Sequence, residues 1–155
     1  MQLKTGDREQ KYIIFALIFA MSNRLQTIGD TFFNEVSTKQ WFVLLIMNTL
    51  EGYSPTLNEL SEAVGSSHQN VKQLVLKLEQ KGYVELSKDM EDSRRLRIRI
   101  TPKCIEFEKA YEEKSAKFME KLFADQEIKE MDITLKVMLK MKETLEGMEK
   151  DYVRE

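Results

Sequence analysis

The chain has 155 residues, 42% hydrophobic and 32% charged, with a formal net charge of −2; this is the size and mix of one soluble domain able to bury a core, and it excludes a disordered segment. Six glycines and two prolines are too few for the turns of an all-β sandwich, and one cysteine excludes both an internal disulfide framework and a multi-cysteine zinc site. With a single histidine, His68, and no glycine-rich phosphate loop or nucleophile–base set, no metal, cofactor or enzymatic activity is expected.

The first element is marked by YIIFALIFAM at residues 12–21. That run is about half the length a membrane-spanning helix needs. Asp7 and Glu9 dilute the positive charge that a secretory signal carries, and no small-residue cleavage site follows. The expectation is a helix buried on several sides, as at a subunit interface, in a cytoplasmic protein without membrane contact. A peripheral anchor formed by this helix is the remoter alternative.

Ser37 with Gln40 fits a capping box, ahead of the apolar WFVLLIM and a stop at Gly52. Thr56 with Glu59 fits a second box and opens a short helix with Leu57, Leu60 and Val64 on one face, ended by Gly65. Ser67 caps a third helix, whose inward stripe is Val71, Leu74, Val75 and Leu78, up to Gly82. Two short helices joined by a Gly-Ser turn form a helix-turn-helix pattern, a weak signal alone because helical hairpins are common. The next segment strengthens it. In YVELS, Val84 and Leu86 alternate with polar residues; in RLRIRIT, Leu96, Ile98 and Ile100 take one face and Arg95, Arg97 and Arg99 the other. KDMEDSR between them is polar and short enough for a hairpin loop, so the whole reads as a winged helix.

Thr101 caps a further helix with Pro102 in its first turn, and Phe107, Tyr111, Phe118 and Leu122 line that helix. After FADQE, with Asp125 as cap, Ile128, Met131, Leu135, Met138, Leu145 and Met148 keep a heptad-like spacing. Long helices with narrow apolar seams need a partner, and a homodimer is the commonest; a monomeric helical subdomain is the alternative. The expected architecture is mainly α with a small β-hairpin (α+β). An N-terminal dimerisation helix occupies residues 1–36, a winged helix-turn-helix 37–103, and C-terminal dimerisation helices 104–155.

Charge is divided unevenly. Residues 66–103 carry nine Lys or Arg against five Asp or Glu, a local +4 that leaves the rest of the chain at −6. Polyanion binding follows the local footprint rather than the total. Ser67, His68, Gln69 and Asn70 open the candidate recognition helix, at the end that meets base edges. Gln and Asn can pair bidentately with adenine, and backbone amides there can bind phosphate. Lys72, Gln73 and Lys77 suit phosphate or base contacts further along. Asp92 can pair with Arg94 and hold it extended beside Arg95, and an arginine at a loop tip suits the narrow minor groove of A·T-rich DNA. A solvated helix face and a solvated hairpin would carry the same residues.

Through TLNELSEAVGSSHQNVKQLVLKLEQKGYVELSKDMEDSRRLRIRIT, residues 56–101, the chain resembles the MarR family of winged-helix regulators. LVLKLEQKGYV and the wing DMEDSRR ending in IT carry the likeness most specifically, and the helical flanks agree with it in order and length. The resemblance matches Asp92 and Arg94 to an Asp and an Arg two residues apart in the family's wing. It implies a homodimer with intertwined first, fifth and sixth helices, and two lobes that read a pseudo-palindromic operator in double-stranded DNA. It also implies release by a small-molecule effector or an oxidant, from a crevice between the dimer helices and the winged helix. Phe15, Phe19, Trp41 and Met47 are the apolar candidates for that crevice, and core packing explains them equally well. Two features depart from the family. Cys104 stands near a common glycine, and no cysteine lies near the N-terminus for oxidant sensing. A helix's first turn can favour a thiolate, but Cys104 reads as a buried structural residue. The expected function is a sequence-specific DNA-binding transcriptional regulator, a repressor released by a ligand or other signal. A winged-helix protein-interaction module without specific DNA binding is the alternative.

Overall fold

The computed structural model describes residues 7–50, 52–89, 92 and 95–152. Six helices and one hairpin follow in the order α1 (Asp7–Phe32), α2 (Thr38–Asn48), α3 (Leu57–Val64), α4 (His68–Gln80), β1 (Val84–Lys88), β2 (Leu96–Ile100), α5 (Pro102–Leu122) and α6 (Ile128–Tyr152). This is the expected mainly helical winged helix. The chain divides into two compact units, residues 1–108 and 109–155.

In the first unit the local signals act as read. Ser37 and Gln40 exchange the two hydrogen bonds of a capping box at α2, and Thr56 and Glu59 do the same at α3. Each box satisfies backbone N–H groups that a helix start leaves without partners. α2 stops at Asn48 with Thr49 as its cap, earlier than the Gly52 stop that the sequence suggests. Gly65 ends α3 with φ of 67°, a left-handed conformation that side chains with a Cβ resist. Gly29 serves a different need. A Cβ there would lie 2.3 Å from the Thr38 Oγ1, so its absence lets α1 approach the start of α2. At that crossing the Thr38 N–H and hydroxyl both donate to Asp30 Oδ1, at 2.8 Å each.

The core gathers Phe33 and Val36 from the α1–α2 connection with Val43, Leu44 and Met47 of α2, and Leu60 of α3. Val71, Val75 and Leu78 of α4, Tyr83, Val84 and Ile98 of the hairpin, and Cys104 and Phe107 of α5 complete it. The hairpin is antiparallel, with Val84 opposite Ile100, Leu86 opposite Ile98 and Lys88 opposite Leu96. Beyond β2 the chain before α3 adds a short edge: the Ile98 N–H donates to the Pro55 carbonyl at 2.9 Å, and Thr56 bridges Arg97. Leu96, at the far end of the strand, is exposed rather than inward.

α1 runs well beyond the ten-residue apolar run. Over Glu9–Phe32 it is long and apolar enough to cross a membrane by length and composition. At about 100° per residue its exposed apolar residues form one broad arc covering more than half of the helix circumference. Tyr12, Phe15 and Phe19 take one end of the arc, and Ile14, Leu17, Ile18, Met21, Leu25 and Ile28 the rest. In the second unit α6 exposes Ile128, Leu135, Met138, Leu145 and Met148, with Met131 half-buried. The cap of α6 is not Asp125. Glu127 precedes the helix, and its N–H donates to the Glu130 carboxylate at 3.0 Å.

Cys104 is fully buried, 3.7 Å from the Glu108 carboxylate. Burial first, and the negative Glu108 second, push its thiol up to about 12. The unfolded chain then ionises at lower pH than the folded one, so stability falls as pH rises from the ordinary thiol range towards 12. We expect native Cys104 to resist a thiol-reactive disulfide reagent at pH near 8 and to react in denaturant, as measured by absorbance of the released thiol. Leu60→Ala should destabilise the first unit by roughly 2–5 kcal/mol, because it empties a fully buried site. A lower urea midpoint at unchanged slope is the expected reading.

Candidate nucleic-acid interface

α4 is two-faced. At about 100° per residue, Gln69, Asn70, Lys72, Gln73 and Lys77 fall opposite the buried Val71, Val75 and Leu78. All five are exposed, as are Ser67 and His68 at the start of the helix. Ser67 is the N-cap, and its hydroxyl accepts from the Asn70 N–H at 3.3 Å. The seven residues named from the sequence therefore lie together on one helix and face solvent.

The wing places the remaining candidates differently. Arg95 is exposed, and its Nε lies 3.3 Å from Asp92 Oδ2. The Arg95 N–H also donates to the Asp92 carbonyl at 2.9 Å. Arg94, and with it the expected Asp92–Arg94 pair, lies outside the described residues. Arg99 projects outward and pairs with Glu85 across the hairpin at 3.5 Å. Exposed pairs of this kind contribute little, about 0–1 kcal/mol.

Arg97 corrects the reading that all the wing arginines point outward. Its side chain is 28% exposed and turns back onto the module. Its Nε donates to Asp89, and its Nη1 donates to the Tyr53 hydroxyl at 2.9 Å and the Ser54 carbonyl at 3.0 Å. The Tyr53 hydroxyl and the Asp89 carboxylate hold the guanidinium charged, well above its ordinary value. Tyr53 also donates to Glu59 at 2.8 Å, so the second capping box belongs to the same cluster. The Thr56 N–H, then Tyr53, hold the Glu59 carboxyl below its usual range. This cluster had no signal in the sequence, since it joins residues 44 positions apart.

Two lysines counted in the basic segment are likewise engaged in the framework. Lys81 donates to the Glu35 carbonyl and to Gln40. Lys103 donates to the Lys81 carbonyl at 2.7 Å and lies 4.9 Å from the centre of the Tyr83 ring. Both lysines are exposed as residues, and the other exposed cations of the described segment are Lys72, Lys77, Lys88, Arg95 and Arg99.

The four effector candidates are not brought to one cavity. Phe15 and Phe19 sit 5.1 Å apart on the exposed α1, Trp41 stacks on Phe33 at 5.2 Å, and Met47 is buried in the core. A cavity of about 400 Å³ lies between the α1–α2 connection and α4, bounded by Glu35, Val36, Leu74, Lys77 and Lys81 among others; none of the four lines it.

Residues 35–95 match the model of the MarR family. None of the curated proteins matches the chain in sequence. Among solved structures, the chain is similar to a MarR protein from Peptoclostridium difficile at 23% identity and a TM-score of 0.76, over 95% of this chain and 94% of that one. It is similar to Bordetella bronchiseptica BpsR, whose DNA binding is regulated by 6-hydroxynicotinic acid, at 16% identity and a TM-score of 0.70, over 83% of this chain and 97% of that one. Staphylococcus aureus MepR in its DNA-binding conformation aligns at 19% identity and a TM-score of 0.69, over 88% of this chain and 98% of that one. At these identities the likeness establishes the fold. Residues 35–95 are thus similar to the MarR family model, within a chain whose fold is that of solved MarR-family structures.

Proposed function

We propose that the protein is a sequence-specific double-stranded DNA-binding transcriptional regulator, a cytoplasmic homodimer that represses by occupying a pseudo-palindromic operator. The observation that carries this reading is the face of α4. Seven polar or basic residues stand exposed on a helix whose opposite side is locked in the core, beside an arginine-bearing wing. In this role Gln69 and Asn70 read base edges, while Ser67, His68, Lys72, Gln73 and Lys77 contact phosphates or bases along the groove. Asp92, Arg94 and Arg95 place the wing at the adjoining minor groove. Nothing in the role calls for catalysis.

The broad exposed apolar arc of α1 supports a dimer, because it is wider than one neighbouring helix covers. A membrane would cover the same residues, and the two environments separate experimentally. Release by a small ligand is supported by the 6-hydroxynicotinic acid response of BpsR. Of the four apolar candidates, Phe15, Phe19 and the partly exposed Trp41 stand as candidates for that ligand's site, whereas Met47 belongs to the core.

Fluorescence anisotropy against the chain's own upstream DNA should show salt-sensitive binding that exceeds binding to a scrambled duplex. Equal or absent binding to both would favour a protein-interaction module. Gln69→Ala or Asn70→Ala should lose about 1–3 kcal/mol of discrimination at the base each contacts, with little change in nonspecific binding. Arg94→Ala should weaken operator binding in an intact dimer. Sedimentation should give twice the 18.3 kDa chain mass, and Leu17→Glu should shift the protein towards monomer. Partitioning of the wild type into anionic vesicles in place of dimerisation would overturn the dimer reading.

A further inference from the structure

The cluster around Arg97 links two parts of the DNA-facing surface that are otherwise separate. Asp89 is buried at the end of β1 and organises the wing loop from its base. Its Oδ1 accepts from the Asp92 N–H at 2.9 Å, and its own N–H donates to the Arg95 carbonyl at 3.0 Å. Its second oxygen, Oδ2, receives Arg97 Nε. Through Nη1 the same guanidinium reaches Tyr53 and the Ser54 carbonyl, and it lies 3.7 Å from Glu59. The Arg97 Cζ also stands 5.4 Å from the centre of the Tyr53 ring. Glu59 in turn caps α3, the first helix of the helix-turn-helix. An unbroken series of polar contacts thus runs from the start of α3 to the wing loop.

We propose that Arg97 is a positioning residue for DNA binding: its bonds to Asp89, Tyr53 and Ser54 latch the wing to the helix-turn-helix, so that wing and α4 meet DNA as one preorganised surface. The inference rests on the DNA-binding reading above. A wing held only by its two strands would have to be ordered on contact with DNA, and that ordering weakens binding. The latch orders it in advance. Arg97 does this from a half-buried position, with Nε and Nη1 directed to protein acceptors, and so it differs from the exposed Arg95 and Arg99.

Charge reversal in the expected effect makes the idea testable. Asp89→Asn removes a negative charge beside the DNA-facing surface, which by simple electrostatics tightens polyanion binding. Loss of the latch predicts the opposite, a fall in operator affinity of about tenfold at fixed salt. Tyr53→Phe, which keeps the charge and the ring, should lower affinity in the same direction by a smaller factor. Amide hydrogen exchange on the same free proteins should show faster exchange at Asp92 and Ile98, with protection of α4 retained. Equal or tighter DNA binding by Asp89→Asn would overturn the proposal, as would unchanged exchange of the wing amides. If the wild type binds no duplex at all, the DNA-binding reading fails and the positioning role falls with it. The exchange measurement separates that failure from the absence of a latch.

Discussion

A helix can read another molecule only if something other than that molecule fixes where it stands. Here the fixing interaction is burial of one stripe of α4, in which Val71, Val75 and Leu78 are removed from water almost completely. Each such side chain contributes about 1.5–3 kcal/mol, and the stripe packs within the core shared by α2, α3 and the hairpin. The opposite face carries the exposed Gln69, Asn70, Lys72, Gln73 and Lys77, with the half-buried Leu76 among them. The turn before α4 follows from the same constraint. Gly65 must adopt its left-handed conformation for α3 to end and the chain to re-enter at Ser67 with the stripe inward.

The parts of this arrangement that depend on neighbours in sequence were legible in the sequence. Capping boxes at Ser37 and Thr56 are exchanges between residues three apart, and they form as the sequence specifies. The period of the α4 stripe and the alternation of Val84, Leu86, Ile98 and Ile100 give the correct faces in the same way. What failed depends on distance. Alternation places Arg97 on the polar face of its strand, but it cannot show that Tyr53 and Asp89 wait on that side. The exposed Leu96 is a matter of where the core stops, and the period of a strand carries no such boundary. At α6 the acidic residue nearest the end of FADQE, Glu127, stands before the helix, and Asp125, chosen for its residue type, does not.

Charge counting shows the same limit from another side. The basic segment has a net +4, yet the cations at positions 81, 97 and 103 are bound to carbonyls, carboxylates or aromatic rings of the fold. Long basic side chains lie along apolar or polar surface whenever acceptors are near, and the charge then belongs to the framework. The field they generate still reaches a polyanion, so they contribute to attraction at long range. In the proposed role, direct contact would fall to the exposed set on α4 and the wing. The total charge of the segment would then bear on how DNA is attracted, and the exposed subset on where it is held.

If α4 is the recognition helix of a dimer, its fixed place in the module leaves one large variable, the distance between two modules. If two copies pair through α1 and the C-terminal helices, their α4 helices must enter successive major grooves about 34 Å apart. Neither the α4 stripe nor the contacts of Arg97 change with that distance, since both lie inside one module. A ligand between the subunits would act by favouring a spacing at which both helices cannot seat together, with each module unchanged. Its leverage is then limited to its difference in affinity for the two spacings. Rigidity within the module would strengthen such control, because a soft wing or a mobile α4 would absorb the change in spacing before it reached the DNA.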